Sequence, residues 1–173
     1  MSHLIPRRQT PELSLPRIGA DPFTLSQSTP ERMTMLVFYR GIHCPICKQW
    51  LGDLESKMPD FRERGVDVLA ASMDSAERAE KAYAGWGIAD VPLGYDMTED
   101  QARSFGLYIS SKREGSDEPD RFSEPGLFLI RPDRTLYAAS IQSMPFTRPD
   151  FGDLVGALDF IHDKDYPPRG DLG

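Results

Sequence analysis

Cys44 and Cys47 are the only cysteines in this 173-residue chain, and they enclose Pro45 and Ile46 in a Cys-x-x-Cys spacing. Sulfurs three residues apart meet across one turn of a helix. They can pass between dithiol and disulfide with little backbone movement. The same residues support two other readings. Joined by His43, they supply three zinc ligands, with a fourth to come from His3, His162 or a distant carboxylate, although no second Cys-x-x-Cys is present. They can also serve as inert structural thiols or a fixed disulfide.

The local sequence favours redox chemistry. Cys44 follows an apolar run and precedes a helical pattern, and Pro45 suits the first helical position, where its missing N–H costs nothing. Cys44 then takes the N-cap and Cys47 lies one turn in. The unpaired N–H groups of a helix start favour negative charge, so the spacing predicts a thiolate of lowered pKa at Cys44, reachable from solvent. From Arg32 to Gly52 there is no Asp or Glu, whereas Arg32, Arg40, His43 and Lys48 fall in that window. His43 is a candidate cation or proton carrier beside Cys44, or else a surface residue without a role.

These residues need a frame to hold them. Residues 33–39 form a nearly all-apolar run, as expected of a central strand buried on both faces. Ile46, Trp50, Leu54, Met58 and Phe61 then recur at helical spacing, and Pro59 is expected to kink or divide that helix. A second strand is predicted over 66–72 and a helix over 76–86 with its cap at Asp74-Ser75. A short element at 93–96 and a brief helix from Thr98 to Phe105 follow. Residues 110–124 read as a mobile, solvated insertion by composition. Residues 126–130 and 135–141 form a hairpin, and Phe151, Leu154, Val155, Leu158 and Ile161 mark a final helix. Alternation in the first half implies parallel crossovers, and the hairpin adds antiparallel strands. The expected architecture is α/β, a central mixed sheet flanked by helices on both faces. It divides into an N-terminal arm at 1–22, one domain over 10–162 and a polar tail at 163–173.

Bulk properties narrow the function classes. A length of 173 residues with 39% hydrophobic and 27% charged residues suits one globular domain. The net charge of −7 leaves no basic surplus to neutralise phosphates, which disfavours nucleic acid as a partner. No run of about 18 apolar residues exists to cross a membrane. The first residues carry no apolar signal segment, so a cytoplasmic location is expected, where a Cys-x-x-Cys is more often catalytic than a staple.

Two segments carry a family resemblance. Residues 38–48 resemble the active-site segment of the peroxiredoxin-like branch of the alkyl hydroperoxide reductase and thiol-specific antioxidant family, and residues 125–133 resemble its later strand and turn. The resemblance spans about residues 10–162. It implies a thioredoxin-like fold, no metal or organic cofactor, a peroxide or disulfide substrate, a cellular thiol reductant and possible homodimers. In the family pattern Pro-x-x-x-Thr-x-x-Cys, the attacking cysteine falls on Cys47, the threonine position on Cys44 and the proline position on Arg40. The family's arginine would fall near Glu124-Pro125-Gly126, where this chain has none; Arg121, Arg131 and Arg148 are the conceivable replacements. Laid instead on thioredoxin, Cys44 attacks and Cys47 resolves, and Pro125 resembles the cis-proline that faces the disulfide. The resemblance therefore implies Cys44 and Cys47 as catalytic residues, with His43, Arg40 and Pro125 in support. The alternative from another class is a non-catalytic redox sensor or partner-binding module.

Overall fold

The computed structural model describes residues 4–172. Its centre is strand β3 (Met33–Phe38), all six residues buried. Alternate side chains enter two different apolar layers. Met33, Met35 and Val37 face one layer, while Leu36 and Phe38 face the other. This period of two is why the run is apolar on both faces but for Thr34.

Five further strands extend the sheet through β3: β1 (Ser14–Arg17), β2 (Ala20–Thr24), β4 (Val66–Ala71), β5 (Leu93–Gly94) and β8 (Gly126–Ile130). A sixth, β9 (Leu136–Ile141), completes the order β2-β1-β5-β4-β3-β8-β9. β4 runs parallel to β3 in register Met33↔Val66 to Phe38↔Ala71, and β8 runs antiparallel, Thr34↔Ile130 to Phe38↔Gly126. The arm anticipated before residue 22 thus supplies an antiparallel pair, β1 with β2, at one edge of the sheet.

Helices cover both faces. α1 (Pro45–Glu63), α2 (Ala76–Gly85) and α4 (Phe151–Lys164) contribute to one layer, where Leu51, Leu54, Met58 and Phe61 meet Phe151 and Leu158. α3 (Glu99–Ser104) closes the other layer through Ala102, with Phe105 just beyond its end packed on Phe38 and Phe128 at ring separations of 5.3–5.4 Å. Each such side chain taken fully from water contributes about 1.5–3 kcal/mol.

Two expectations are corrected here. α1 passes through Pro59 as one helix. Pro59 lies on the exposed side of α1, so the carbonyl its ring leaves without a partner can turn to water, while Met58 and Phe61 remain locked in the core. Residues 110–124 are solvated only in part: 111–115 are exposed, but the segment is folded at its two ends. β6 (Ile109–Ser111) and β7 (Arg121–Ser123) pair as a two-stranded sheet, and Phe122, Ser123, Glu118 and Glu124 are all buried. Its polar composition misled because two of its acids are paired inside the protein.

Candidate active site

Cys44 is the N-cap of α1, in extended backbone geometry, and Pro45 is the first helical residue. The Cys47 backbone N–H donates to Cys44 Sγ at 3.2 Å. A sulfur here takes the place of a capping oxygen and engages one of the four free N–H groups of the helix start. Both cysteines are unbonded thiols.

The loop before the helix is held rigidly. Gly41 adopts φ 137°, and a Cβ there would come within 2.8 Å of the Asp74 carboxylate, so no other residue fits without displacing it. That buried carboxylate accepts from the Ile42 N–H at 2.7 Å and from Arg78 Nε at 2.9 Å. It thereby ties the loop to α2, which Arg78 belongs to.

Three groups converge on the sulfurs. The Arg40 backbone N–H donates to Cys47 Sγ at 3.4 Å, and the positive charge of the Arg40 side chain favours the Cys44 thiolate. Arg148 Nη2 donates to Cys47 Sγ at 3.3 Å and stands 3.8 Å from Cys44 Sγ. Arg148 is itself held by Nη1 bonds to the Pro145 and Thr147 carbonyls, and its guanidinium lies over the Trp50 ring. Trp50 Nε1 donates to the neighbouring Pro149 carbonyl at 3.0 Å.

This arrangement separates the two thiols. The hydrogen bond from the Cys47 thiol lowers the pKa of Cys44 against the opposing effect of burial. The Cys47 N–H and the two arginines add to it, bringing Cys44 to about 6. Burial and the neighbouring Cys44 charge push Cys47 the other way, well above an ordinary thiol. Near neutral pH the pair holds one thiolate, at Cys44, and one thiol, at Cys47.

Several sequence expectations change in the folded chain. The attacking sulfur was expected within reach of solvent, yet Cys44 is 2% exposed and Cys47 0%. Arg148 and the segment carrying it lie across them. Burial lowers the pKa of His43, which packs edge-on against Phe122 with Nδ1 3.5 Å from Arg78 Nη2. No peptide bond is cis among the described residues, so Pro125 is trans. It sits one residue ahead of β8, where an absent N–H breaks no ladder bond, and its carbonyl accepts from Gln142.

For the zinc reading, His3 lies outside the described residues, and His162 sits in the last turn of α4, near Arg32 and Asp159. Among the described residues no three His, Cys, Asp or Glu side chains are grouped to hold a metal ion. Sequence reasoning named Arg148 only as one of three replacements. No local pattern ties it to a cysteine 101 residues away; its one signal is a position two residues ahead of the Asp150 cap of α4.

A mixed sheet, a Cys-x-x-Cys at the mouth of α1 and arginine against both sulfurs define a thiol redox protein of thioredoxin-like fold. Residues 6–139 match the AhpC/TSA family, and the chain belongs to it. It is a thiol-dependent oxidoreductase of peroxiredoxin-like type. Alkyl hydroperoxide reductase C of Ferdinandcohnia aciditolerans is 27% identical over 135 residues, 76% of this chain and 75% of that protein. Thioredoxin peroxidase of Trypanosoma brucei rhodesiense is 24% identical over 123 residues, 68% of this chain but 58% of its own length. Among solved structures, peroxidoxin BcpB of Mycobacterium tuberculosis superposes with a TM-score of 0.73 over 92% of this chain and 99% of that one, at 19% identity.

Proposed function

We propose that this protein reduces peroxides with Cys44 as the attacking thiolate and Cys47 as the resolving thiol. The observation that carries the reading is the contact of Arg148 with both sulfurs, because it supplies the arginine absent near Glu124-Pro125-Gly126. The Cys44 thiolate attacks the terminal oxygen of a hydroperoxide. An S–O bond forms, the O–O bond breaks, and the departing alkoxide takes a proton from Cys47 or water. Arg148 and Arg40 offer N–H donors to the charge that builds on the leaving oxygen. The Cys47 sulfur then attacks the Cys44 sulfenic acid and expels hydroxide, which leaves as water. The two thiols have given two electrons, and a cellular thiol reductant reopens the disulfide.

This assignment reverses the alignment that placed the attacking cysteine on Cys47. A low-pKa sulfur at the helix cap and a buried partner of high pKa one turn in are also the arrangement that thiol–disulfide exchange requires. A disulfide substrate is therefore the second reading, with the same residues in the same roles. Arg40 supports the thiolate, His43 and Pro125 shape its loop surroundings, and neither metal nor organic cofactor takes part. Among the described residues no helix is long and apolar enough to cross a membrane. We place the protein in the cytoplasm, without nucleic acid or membrane as a partner. The outer side of β9 gives a homodimer a surface to use: residues 7–10 bond along it only at Arg134, Thr135 and Leu136.

The test uses Cys44→Ser and Cys47→Ser proteins treated with hydrogen peroxide and a sulfenic-acid trap. Trapping is expected only where Cys44 remains, and both variants are expected to lose turnover. Trapping confined to the protein that keeps Cys47 would restore the alignment's assignment. A stable mixed disulfide at Cys44, with no sulfenic acid, would select exchange. Wild-type protein that cycles but never turns over would point to a sensor.

A further inference from the structure

Arg40 is one of the two cations that support Cys44, and it is not free to use its whole charge there. Its Nε stands 3.1 Å from Glu124 Oε2 and its Nη2 3.6 Å from Glu118 Oε1. Both carboxylates are buried, and the guanidinium carbon lies over the Phe122 ring, 4.8 Å from its centre. The acids are in turn fixed. Ser110 Oγ donates to Glu124 at 2.6 Å, while Glu118 accepts from the Arg113 backbone N–H, from Arg113 Nε and from Ser116 Oγ. Every one of these residues lies within 110–124, the segment whose sequence reads as solvated.

We propose that Glu124 and, more weakly, Glu118 are positioning residues for Cys44 that act through Arg40. They hold its guanidinium against Phe122 and draw off part of its charge, so that the thiolate forms yet keeps its nucleophilicity. The inference rests on the reading above that Cys44 attacks. The other charged or titratable groups facing Arg40 are Cys44 and Cys47 on α1 and His43 on its own loop; Arg148 bears on the same sulfurs from the far side, and Arg113 backs Glu118. None of them is an acid that could replace Glu124.

The reasoning is chemical. A thiolate facing an arginine with no counter-charge is easily formed but sluggish, since nucleophilicity falls as thiol acidity rises, with a Brønsted slope of about 0.4–0.5. Two buried carboxylates on one arginine moderate that trade. They also give β6, β7 and the turn between them a reason to be folded onto the site.

The experiment follows thiolate absorbance at 240 nm in reduced full-length protein from pH 4 to 9, a range in which Cys44 is the sulfur that titrates. Glu124→Gln is expected to move the midpoint down by about half a unit, a threefold change in the thiolate equilibrium, and to slow alkylation at pH 9. Glu124→Asp, which keeps the charge, should restore both. In an Arg40→Met background, Glu124→Gln should have no further effect. A midpoint that stays put in Glu124→Gln, or an effect that survives without Arg40, overturns the inference. So does a change in melting temperature alone, which marks a merely structural anchor. Should Glu124→Gln fail to fold, Glu118→Gln is read in the same assay, with a smaller downward shift expected and no shift counting against the proposal. If the wild-type midpoint lies near that of an ordinary thiol, about 8.5, it is the assignment of Cys44 as the attacking thiolate that falls.

Discussion

Two polar segments reach the same pair of sulfurs, and they are held in opposite ways. Residues 110–124 support Arg40 through buried carboxylates, with Phe122 packed beneath it. Residues 142–150 bring Arg148 in through contacts with its own loop carbonyls, one indole hydrogen bond and an aromatic face. Met144 and Phe146 of that segment are 52% and 71% exposed. The first segment sends Glu118, Phe122, Ser123 and Glu124 into the interior; the second has no buried residue. A groove of about 180 Å³, lined by Ile46, Trp50, Phe146 and Arg148 among others, opens between the second segment and α1. Because Cys44 and Cys47 are both buried, something must yield before a bulky substrate or reductant reaches them. The contrast predicts that residues 142–150 are the part that yields.

That contrast can be broken experimentally. The largest effect is expected from Arg148→Met, which removes the donor shared by both sulfurs and should lower peroxide turnover by about a hundredfold. Unchanged turnover would relegate Arg148 to a cover. Glu118→Gln should cost about 1–3 kcal/mol in denaturant unfolding, by leaving the Arg113 backbone N–H and the Arg40 guanidinium poorly matched. Amide exchange over 112–120 should speed up while that over 142–150 stays as it was. Trp50→Phe should cost only about 1 kcal/mol, the value of one hydrogen bond, yet hasten alkylation of Cys44 by freeing Pro149. If Glu118→Gln uncovers Cys44 more than Trp50→Phe does, the two segments have been assigned in the wrong order.

The pH dependence sharpens the same picture. Alkylation of Cys44 should rise with pH through a midpoint of about 6. Its folded pKa lies below the ordinary thiol value, so between about 6 and the unfolded value of about 8.5–9 the unfolded chain holds a proton the folded one lacks. Stability from this group is therefore full above that window and is lost as pH falls through 6. Glu118, held at about 2 chiefly by the Arg113 backbone N–H, gives the corresponding loss at acid pH, beginning below its ordinary value of 4.5. Urea unfolding between pH 5 and 9 should show the first slope in wild type and not in Cys44→Ser.

Much of this was legible in the residues themselves. A strand over 33–38 that is apolar but for Thr34 announces its burial on both faces, and Cys44-Pro45 announces a helix start because proline costs nothing at the first helical position. What stayed hidden depends on pairing at a distance. Glu118 and Glu124 look like solvent-facing acids until Arg40, some 80 residues earlier, is found between them. Arg148 looks like any loop arginine until the fold carries it across α1. Composition counts charges without saying which are matched inside, so the insertion was misjudged and the sealing of the thiols was missed. A proline ahead of a strand is equally silent about its isomer, and Pro125 proved trans.

Trp50 has a use beyond its hydrogen bond. It is one of only two tryptophans in the chain, its ring stacks on Phe151 at 5.2 Å, and the other, Trp86, lies edge-on to Tyr39. An indole in contact with the guanidinium that touches both sulfurs is an optical gauge already installed at the reaction centre. Its emission should change when the thiols oxidise, letting single turnovers be timed by stopped-flow fluorescence without attaching a dye.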